Sequence, residues 1–419
     1  MSRPEGLSAY VAVTAAYWAF MLSDGALRML VLLHFHRLGF SPVTLAYLFL
    51  LYELAGIVTN LSAGWIAKRF GLTTTLYAGL GLQVVALLAL ARLDPGWAVS
   101  ASVAYVMAVQ GATGVAKDLA KMSSKSAVKL LAPSGQGGLF RWVALLTGSK
   151  NAVKGLGFFT GAALLGVAGF TASVLGMALV LAVILAAVIW KMPPGLPQGK
   201  KGTRFAEVVS SNPNVNWLSA ARVFLFGARD VWFVVGIPIY FYAVLSDGSE
   251  AGNRQAFFLI GSFMAVWTIL YGFVQGSAPR LLKADRRPES DLVLAARGWV
   301  TALIAIPAVL AGLVWALGPT PVTTGALVVG LLMFGAVFAV NSALHSYLIL
   351  AFTSGERVTM DVGFYYMANA AGRLLGTLLS GLCFQMGGVG LCLAAAAVML
   401  ALSAYGAGRL RPGTDTAPA

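Results

Sequence analysis

Charged residues are scarce in this chain, and acidic residues are scarcer than basic ones. Of its 419 residues 11% are charged, whereas a soluble globular protein has about a quarter. Hydrophobic residues make up 59%, and apolar windows of roughly 20 residues, long enough to cross a ~30 Å hydrocarbon core, recur along the whole sequence. The composition excludes an ordinary soluble protein and predicts an all-α polytopic membrane protein that has the lipid bilayer as its surroundings.

Cysteine is rare as well, since Cys383 and Cys392 are the two in the sequence and both lie in apolar runs. This excludes a disulfide framework and a thiolate metal site. The sequence also lacks a phosphate-binding loop, a nucleophile elbow and any cluster of residues with metal-ligand spacing. We therefore expect no catalytic residues, no metal, no cofactor and no ATP hydrolysis within this chain, so the chain is not expected to be an enzyme.

The basic surplus gives a net charge of +14, which in a soluble protein suggests nucleic-acid binding. Here the Lys and Arg residues crowd alternate connections between apolar runs, which is the distribution that orients membrane proteins. We therefore expect no nucleic-acid partner. The asymmetry predicts a multi-pass membrane protein with both termini in the cytoplasm.

Twelve apolar segments are predicted to cross the membrane, and the first is too long for a signal peptide. Their predicted limits are 7–36, 43–67, 73–92, 97–118, 138–168, 170–190, 215–245, 255–277, 291–316, 321–350, 358–384 and 387–408. The glycines of "GLGFFTGAALLGVAG", residues 155–169, are expected to allow close packing of helices.

The longest predicted cytoplasmic connection reads "KMPPGLPQGKKGTRFAEVVSSNPN". Its proline, glycine and charge content is typical of a linker. We therefore divide the chain into a six-helix half over 1–190, a linker over 191–214, and a second six-helix half over 215–419 that ends in a short cytoplasmic tail. Charged residues recur at similar places in the two halves, which indicates an internal repeat with pseudo-twofold symmetry.

Charges inside predicted spans are the main functional candidates, because a charge in mid-bilayer costs about 2.5–3.5 kcal/mol on insertion scales. Asp24 and Arg28 are four residues apart and share a helix face, so they are expected to pair, either structurally or as part of a site. Arg229 and Asp230 are adjacent and point about 100° apart, so each is expected to need another partner or an aqueous cavity.

Several bases have no acid nearby in sequence. Lys150 and Lys154 share a helix face in the fifth span, Arg373 lies in the eleventh span, and Arg222 lies nearer the cytoplasmic end of the seventh. We predict that some of these bases line a cavity for an anion. Structural ion pairs with distant acids are the alternative.

Other polar residues also interrupt the apolar runs. Lys117, Lys121, Lys125 and Lys129 recur every four residues and are interpreted as a solvated helix end, with a basic vestibule that collects anions as the alternative. Glu53 is predicted to be either a proton carrier or the partner of a base, and Asn341 and His345 are polar insertions in the tenth span with a supporting role.

The twelve spans, the central linker and the basic loop after the second span resemble the major facilitator superfamily. In that family the loop carries a glycine, then an acid four residues later, then a base and a glycine. Here it reads "GWIAKRFG" from Gly64 to Gly71: Arg69 and Gly71 fit the pattern, and Lys68 stands where the acid is expected. The resemblance implies a twelve-helix transporter.

Four segments of the first seven spans resemble the ArsJ-type organoarsenical efflux permeases of that superfamily. They read "YWAFMLSDGALRMLVLLHFHRLGFSP", "GVAKDLAKMSSKSAVKLL", "RWVALLTGSKNAVKGLGFF" and "SAARVFLFGARDVWFVVGIP". The resemblance implies export of 1-arseno-3-phosphoglycerate, a pentavalent organoarsenical, and hence arsenate resistance. It also implies a functional link to a glyceraldehyde-3-phosphate dehydrogenase that uses arsenate in place of phosphate. A carrier for another phosphorylated organic anion is the alternative.

The superfamily resemblance also implies where the charges lie. In that fold the first, fourth, seventh and tenth spans line a central cavity, flanked by the second, fifth, eighth and eleventh. Arg28, Lys150, Arg229 and Arg373 fall on those spans, and Asp24 and Asp230 are expected to keep the bases ordered. Lys150 and Arg373 are predicted to occupy equivalent positions in the two halves and to clamp the anion from opposite walls.

Overall fold

The computed structural model describes residues 3–131, 138–192, 210, 212–283, 287–353 and 358–411. These ranges form α-helices joined by short turns and contain no β-strand, which confirms the all-α prediction. The helices are α1 (Arg3–Arg37), α2 (Pro42–Tyr47), α3 (Leu50–Phe70), α4 (Leu72–Leu90), α5 (Val99–Leu131), α6 (Gly138–Ala168), α7 (Phe170–Lys191), α8 (Pro213–Phe233), α9 (Gly236–Leu245), α10 (Glu250–Leu282), α11 (Glu289–Leu317), α12 (Pro321–Phe352) and α13 (Val358–Gly408).

Eleven helical stretches in the described part of the chain are long and apolar enough to cross a membrane. The last stretch, Asp361–Gly408, has 48 residues, more than twice what a ~30 Å core needs at 1.5 Å per residue. It is broken at Gly387 and Gly388, and the φ of 64° at Gly388 lies in the left-handed region that favours glycine. The break gives two apolar helices where the sequence predicts the eleventh and twelfth spans.

Two of the long helices begin in the same way. Asn212 precedes α8 and its side chain accepts a hydrogen bond from the amide of Asn214, while Pro213 occupies the first turn. Thr320 precedes α12 and its hydroxyl accepts from the amide of Thr323, with proline again in the first turn. Each side chain satisfies an amide that has no partner inside the helix, and proline has no amide hydrogen to lose there.

The helices form two compact units. Unit 1 consists of the described residues within Met1–Phe40, Tyr47–Phe205 and Leu245–Gly272, and unit 2 of those within Ser41–Ala46, Ala206–Val244 and Phe273–Ala419. Residues 193–209 of the predicted linker lie outside the described residues, as do the side chains of Lys125 and Lys129. The division at 191–214 therefore stays a prediction.

In unit 1, α1 and α6 approach so closely that glycine is required at the contact. A Cβ atom on Gly161 would overlap the carbonyl oxygen of Ala26, and one on Gly157 would overlap that of Leu22. A Cβ atom on Gly25 would lie 2.5 Å from the carbonyl oxygen of Lys154. The glycine-rich run in α6 thus serves close helix packing, as its sequence predicts.

Unit 2 contains a similar helix pair, formed by α8 and the first part of α13. A Cβ atom on Gly372 would overlap the carbonyl oxygen of Val223, and one on Gly376 would lie 2.6 Å from the carbonyl oxygen of Gly227. In both units the close approach brings charged side chains of one helix within reach of its partner.

Candidate functional site

The charge cluster of unit 1 is built around Asp24 on α1. Lys154 on α6 donates to Oδ2 of Asp24 at 2.6 Å, and the hydroxyl of Tyr52 on α3 donates to Oδ1 at 2.6 Å. The predicted partner, Arg28, is not bonded to this carboxylate. The expectation of an Asp24–Arg28 pair is wrong, because the packing of α6 and α3 against α1 offers Asp24 two closer donors.

Arg28 instead pairs with Glu53 on α3, at 3.0 Å from Nη2 to Oε1. Its guanidinium carbon also lies 5.1 Å from the ring centroid of Phe49 and 5.4 Å from that of Tyr52. Of the two roles predicted for Glu53, partner of a base is the one that the geometry displays. The aromatic faces add a favourable interaction with the cation.

Lys117 on α5 is buried, with its Nζ atom 4.0 Å from the centroid of the Tyr52 ring. The interpretation of this lysine as part of a solvated helix end is wrong, because α5 packs against α3 over this stretch. Its neighbour Asp118 accepts from Lys121 at 2.5 Å and from the hydroxyl of Thr59 at 2.5 Å. Sequence reasoning missed Asp118, although its spacing of three from Lys121 is a pairing signal.

In unit 2 one carboxylate serves two arginines. Asp230 on α8 accepts from Arg229 at 2.5 Å through Oδ1 and from Arg373 on α13 at 3.3 Å through Oδ2. The expectation that adjacent Arg229 and Asp230 do not neutralise each other is wrong, because the long arginine side chain curls back to its neighbour, whereas the expectation that Asp230 needs another partner agrees with its contact to Arg373. Arg373 has no acid nearby in sequence and forms an ion pair with the distant Asp230, which is one of the two alternatives predicted for it.

Arg222 on α8 is 4% exposed, and its hydrogen-bond partners among the described residues are neutral groups. Its Nε donates to Oδ1 of Asn369 at 3.0 Å, and its Nη1 donates to the hydroxyl and carbonyl oxygens of Ser342 at 3.1 and 3.2 Å. The rings of Phe226 and Tyr365 lie 4.0 and 4.9 Å from its guanidinium carbon. No carboxylate of the described residues forms an ion pair with Arg222. Neutral protein groups therefore hydrogen-bond its guanidinium but do not neutralise the charge.

Asn341 and His345 lie one turn apart on α12, on either side of Ser342, and both side chains are fully buried. Within the described part of the chain the amide of Asn341 and the two ring nitrogens of His345 make no hydrogen bond. Buried polar groups without partners are uncommon and call for an explanation. The partners Ser342 and Asn369 were missed by sequence reasoning, because more than a hundred residues separate them from Arg222.

The contacts change the predicted equivalence between the two halves. Lys154 lies three residues before Gly157 and bonds to an aspartate of α1; Arg373 lies three residues before Gly376 and bonds to an aspartate of α8. Lys154, not Lys150, therefore corresponds to Arg373. Lys150 lies one turn earlier on α6 and is partly exposed. The predicted Lys150–Arg373 clamp joins residues of the two units and stays a prediction.

Within each ion pair the acid is more deeply buried than the base. The carboxylates of Asp24, Glu53, Asp118 and Asp230 are at most 2% exposed. The bases bonded to them are 10–18% exposed: Arg28, Lys121, Lys154, Arg229 and Arg373. The basic partner is therefore the more accessible member of each ion pair. Among the described residues no group of three or more His, Cys, Asp or Glu side chains is placed to hold a metal ion.

Comparison with known proteins gives the fold but no sequence relative. No protein-family description matches the chain, and no curated protein matches it in sequence. Among solved structures it is similar to a mutant of the nucleoside transporter NupG, with a TM-score of 0.68, 15% identity, and coverage of 96% of this chain and 98% of that one.

Two further structures are similar over nearly their whole length. One is a bacterial homologue of the iron transporter ferroportin in an inward-facing state, with a TM-score of 0.67, 15% identity, and coverage of 96% of this chain and 99% of that one. The other is a POT family transporter in complex with a thioalcohol-conjugated peptide, with a TM-score of 0.67, 14% identity and 94% coverage of both chains. The chain is therefore a multi-pass membrane protein with a major-facilitator-like, transporter-type fold.

Proposed function

We propose that this protein exports an organic anion across the bacterial inner membrane, with both termini in the cytoplasm, and that the anion is 1-arseno-3-phosphoglycerate. The transporter-type fold supports transport. The partly exposed bases support an anionic substrate, and the sequence resemblance to organoarsenical permeases supports the arsenical. Export of this product gives arsenate resistance when a glyceraldehyde-3-phosphate dehydrogenase forms it in the same cell.

The observation that carries the proposal is the separation of charge by burial. In each ion pair the acid is enclosed and the base is partly exposed, and Arg222 forms no ion pair with an acid of the described residues. The bases proposed to bind substrate are Arg28, Lys150, Lys154, Arg222, Arg229 and Arg373. The residues proposed to support them or to carry protons are Asp24, Glu53, Asp230, Asn341 and His345.

The chemistry of these side chains suits tetrahedral oxyanions. Arginine presents a planar fork of N–H donors that matches phosphate, and arsenate has the same shape, while lysine acts as a point charge. The buried acids hold the bases in place when no substrate is bound. When an anion binds, it takes up donors that point away from the acid, so the ion pair need not break.

A carrier for another phosphorylated organic anion is the second candidate, and one observation favours it. The described bases recognise oxygen atoms and charge, and nothing in their arrangement separates arsenic from phosphorus. The similar structures are named for a nucleoside, for iron and for a peptide, so the fold accommodates unlike cargoes. The substrate must therefore be decided by experiment.

The test uses arsenate-sensitive cells that express the transporter, the dehydrogenase, both or neither. We expect arsenate resistance only with both proteins, and no change in arsenite resistance. The variant Arg373→Gln should lose the resistance, while Arg409→Gln, which changes an exposed arginine beside Tyr405, should keep it. Protein amounts in the membrane are measured for each strain.

Two results would contradict the arsenical assignment. One is arsenite resistance from the transporter alone, and the other is no arsenate resistance from the pair although both proteins are present and active. Uptake of a phosphorylated three-carbon acid by proteoliposomes, together with that second result, would favour the alternative carrier.

A further inference from the structure

The ammonium group of Lys121 lies among oxygen atoms between α3 and α5. Its Nζ atom is 2.5 Å from Oδ1 of Asp118 on α5 and 2.7 Å from Oδ1 of Asn60 on α3. Asp118 is fully buried and Asn60 is 7% exposed, whereas the Lys121 side chain is 18% exposed. These three residues are not among those proposed to bind or support the substrate, so their arrangement calls for a separate explanation.

The oxygen atoms are held in position by groups other than Lys121. Nδ2 of Asn60 donates to the carbonyl oxygen of Gly56 at 2.5 Å, which fixes the orientation of the amide. The hydroxyl of Thr59 donates to Oδ2 of Asp118 at 2.5 Å, which leaves Oδ1 to the ammonium. A simple salt bridge requires only the carboxylate. The additional, oriented amide oxygen indicates a site shaped for a cation.

Close helix packing keeps the two sides of this site at a fixed distance. A Cβ atom on Gly114 of α5 would lie 2.5 Å from the carbonyl oxygen of Tyr52 on α3. On another side of α5, a Cβ atom on Gly79 of α4 would lie 2.8 Å from the carbonyl oxygen of Ala116. Both contacts lie within about one turn of Asp118. We therefore expect the oxygen atoms to stay in place when the flexible lysine side chain is removed.

We propose that Asp118 and Asn60, supported by Thr59, form a site for a small monovalent metal cation such as sodium, and that the ammonium of Lys121 occupies this site as a built-in cation. Hard cations prefer oxygen ligands, and the lysine ammonium is a compact group with a single positive charge. The wild-type protein therefore needs no sodium ion at this position. Removal of the lysine side chain should open the site to a cation from solution.

The surrounding charge sets the expected affinity. Lys117 immediately precedes Asp118 and is buried, and its positive charge opposes the binding of a second cation. We therefore expect millimolar rather than tight binding. Because the Lys121 side chain is partly exposed, water can reach the space that it leaves and complete the coordination of a metal ion. Choline has the same charge but is too large for that space.

The experiment measures thermal unfolding of the purified full chain in detergent, for wild type and Lys121→Ala. Sodium, methylammonium and choline chloride are compared at equal ionic strength, so that general screening is the same in each. Lys121→Ala should melt at a higher temperature in sodium and in methylammonium than in choline. The rise should be on the order of 1–2 °C for each tenfold increase in sodium above its Kd. Wild type should melt at the same temperature in all three salts.

Three results would overturn the proposal. The first is an equal melting temperature of Lys121→Ala in the three salts. The second is stabilisation of Lys121→Ala by methylammonium alone, which would show a pocket for the tip of a lysine and no site for a metal ion. The third is stabilisation of wild type by sodium over choline, because a site filled by Lys121 has no place for sodium.

Second variants test the ligands and guard against a failure to fold. Asp118→Asn combined with Lys121→Ala should lose the sodium response, because the charged ligand is gone. If Lys121→Ala does not fold, Lys121→Gln takes its place, since its amide can donate to Asp118 while the charge of the carboxylate stays uncompensated. Lys121→Gln should then respond to sodium over choline, and no response would count against the site.

Lys154→Ala is the matched control for the amide oxygen. It also removes a lysine from a buried carboxylate, that of Asp24, but the neighbouring Tyr52 hydroxyl donates to this carboxylate. Sodium should therefore stabilise Lys154→Ala less than Lys121→Ala. Equal responses would show that any uncompensated buried carboxylate attracts sodium, and would remove Asn60 from the proposed site.

The inference goes beyond the proposed function and can fail separately from it, because the melting temperatures are measured without substrate or transport. A sodium response of Lys121→Ala in a protein that gives no arsenate resistance would keep the cation site and reject the arsenical substrate. Arsenate resistance without a sodium response would keep the proposed function and reject the cation site.

Discussion

Asp24 on α1 bonds Lys154 on α6 in unit 1, and Asp230 on α8 bonds Arg373 on α13 in unit 2. In both units the two helices meet through glycines three residues beyond the base. The surroundings differ, since Asp24 receives a second hydrogen bond from the neutral hydroxyl of Tyr52, whereas Asp230 receives its second from another cation, Arg229.

The two units therefore differ in how many acids and bases surround the equivalent aspartates, Asp24 and Asp230. In unit 1 the next cation, Arg28, has its own acid in Glu53. In unit 2 two arginines share one acid, and Arg222 has neutral partners. Around Asp24 the ion-paired bases Lys154 and Arg28 therefore have one acid each, whereas around Asp230 two arginines share a single acid. We interpret the one-to-one pairs as holding helices and bases in place, and the sharing of one acid as an excess of positive charge that attracts an anion.

The largest expected effect comes from removing the shared acid. Asp230→Asn leaves Arg229 and Arg373 without their carboxylate, and loss of one partner of a buried ion pair costs about 3–5 kcal/mol in the free energy of unfolding. Asp24→Asn should cost less, because it leaves one hydrogen-bonded cation, Lys154, and the new amide oxygen still accepts from Tyr52. The midpoints of thermal unfolding of the two purified variants measure the difference.

The comparison between units also predicts unequal responses to added anion. Phosphate should restore part of the lost stability of Asp230→Asn, because it supplies negative charge to two arginines, and should restore less in Asp24→Asn. If Asp24→Asn proved the less stable variant, or if phosphate helped both equally, the proposed excess of charge in unit 2 would not hold.

An intermediate effect is expected where the two units are alike. Gly161→Ala in unit 1 and Gly372→Ala in unit 2 each place a methyl group against a backbone carbonyl of the partner helix. Overpacking of this kind costs about 1–3 kcal/mol, and more where backbone cannot shift. Gly176→Ala is the matched control on α7, because a Cβ atom there meets nothing within 4 Å.

Thermal unfolding of the three glycine variants tests whether the helix pairs are equivalent. Both close-contact variants should melt below the control by similar amounts, and the control should melt at or above the wild-type temperature, because alanine favours a helix over glycine. A large loss in one unit and none in the other would contradict the structural equivalence of the pairs.

The smallest effect is a coupling energy that decides between two partners of Asp24. The double variant of Asp24→Asn with Lys154→Gln should be more stable than the sum of the single losses implies, by about 0.5–3 kcal/mol, because bonded residues behave non-additively. The double variant with Arg28→Gln should be closer to additive, because Arg28 is bonded to Glu53. The reverse ranking would support the pairing that sequence spacing alone suggests.

The sequence predicted which charged residues are unusual. Asp24, Arg28, Arg229 and Arg373 stand out because each is a charge within an apolar run. The sequence did not identify the partners of these charges, because a side chain within a helix bundle pairs with whichever opposite charge the neighbouring helices present. Asp24 and Lys154 are 130 residues apart, and Arg222 and Asn369 are 147 apart.

The sequence by itself determined that the chain is all-α and crosses the membrane many times, because hydrocarbon leaves a spanning segment no partner for its backbone except its own helix. It also predicted close helix packing at the glycines of α6, and two apolar spans, 358–384 and 387–408, where the structure has α13 broken at Gly387 and Gly388. Only the tertiary structure decided the ion pairs, the correspondence of Lys154 with Arg373, and the burial of Lys117 and Arg222. Those depend on distances between helices that are remote in sequence, and Coulomb energies change steeply with such distances.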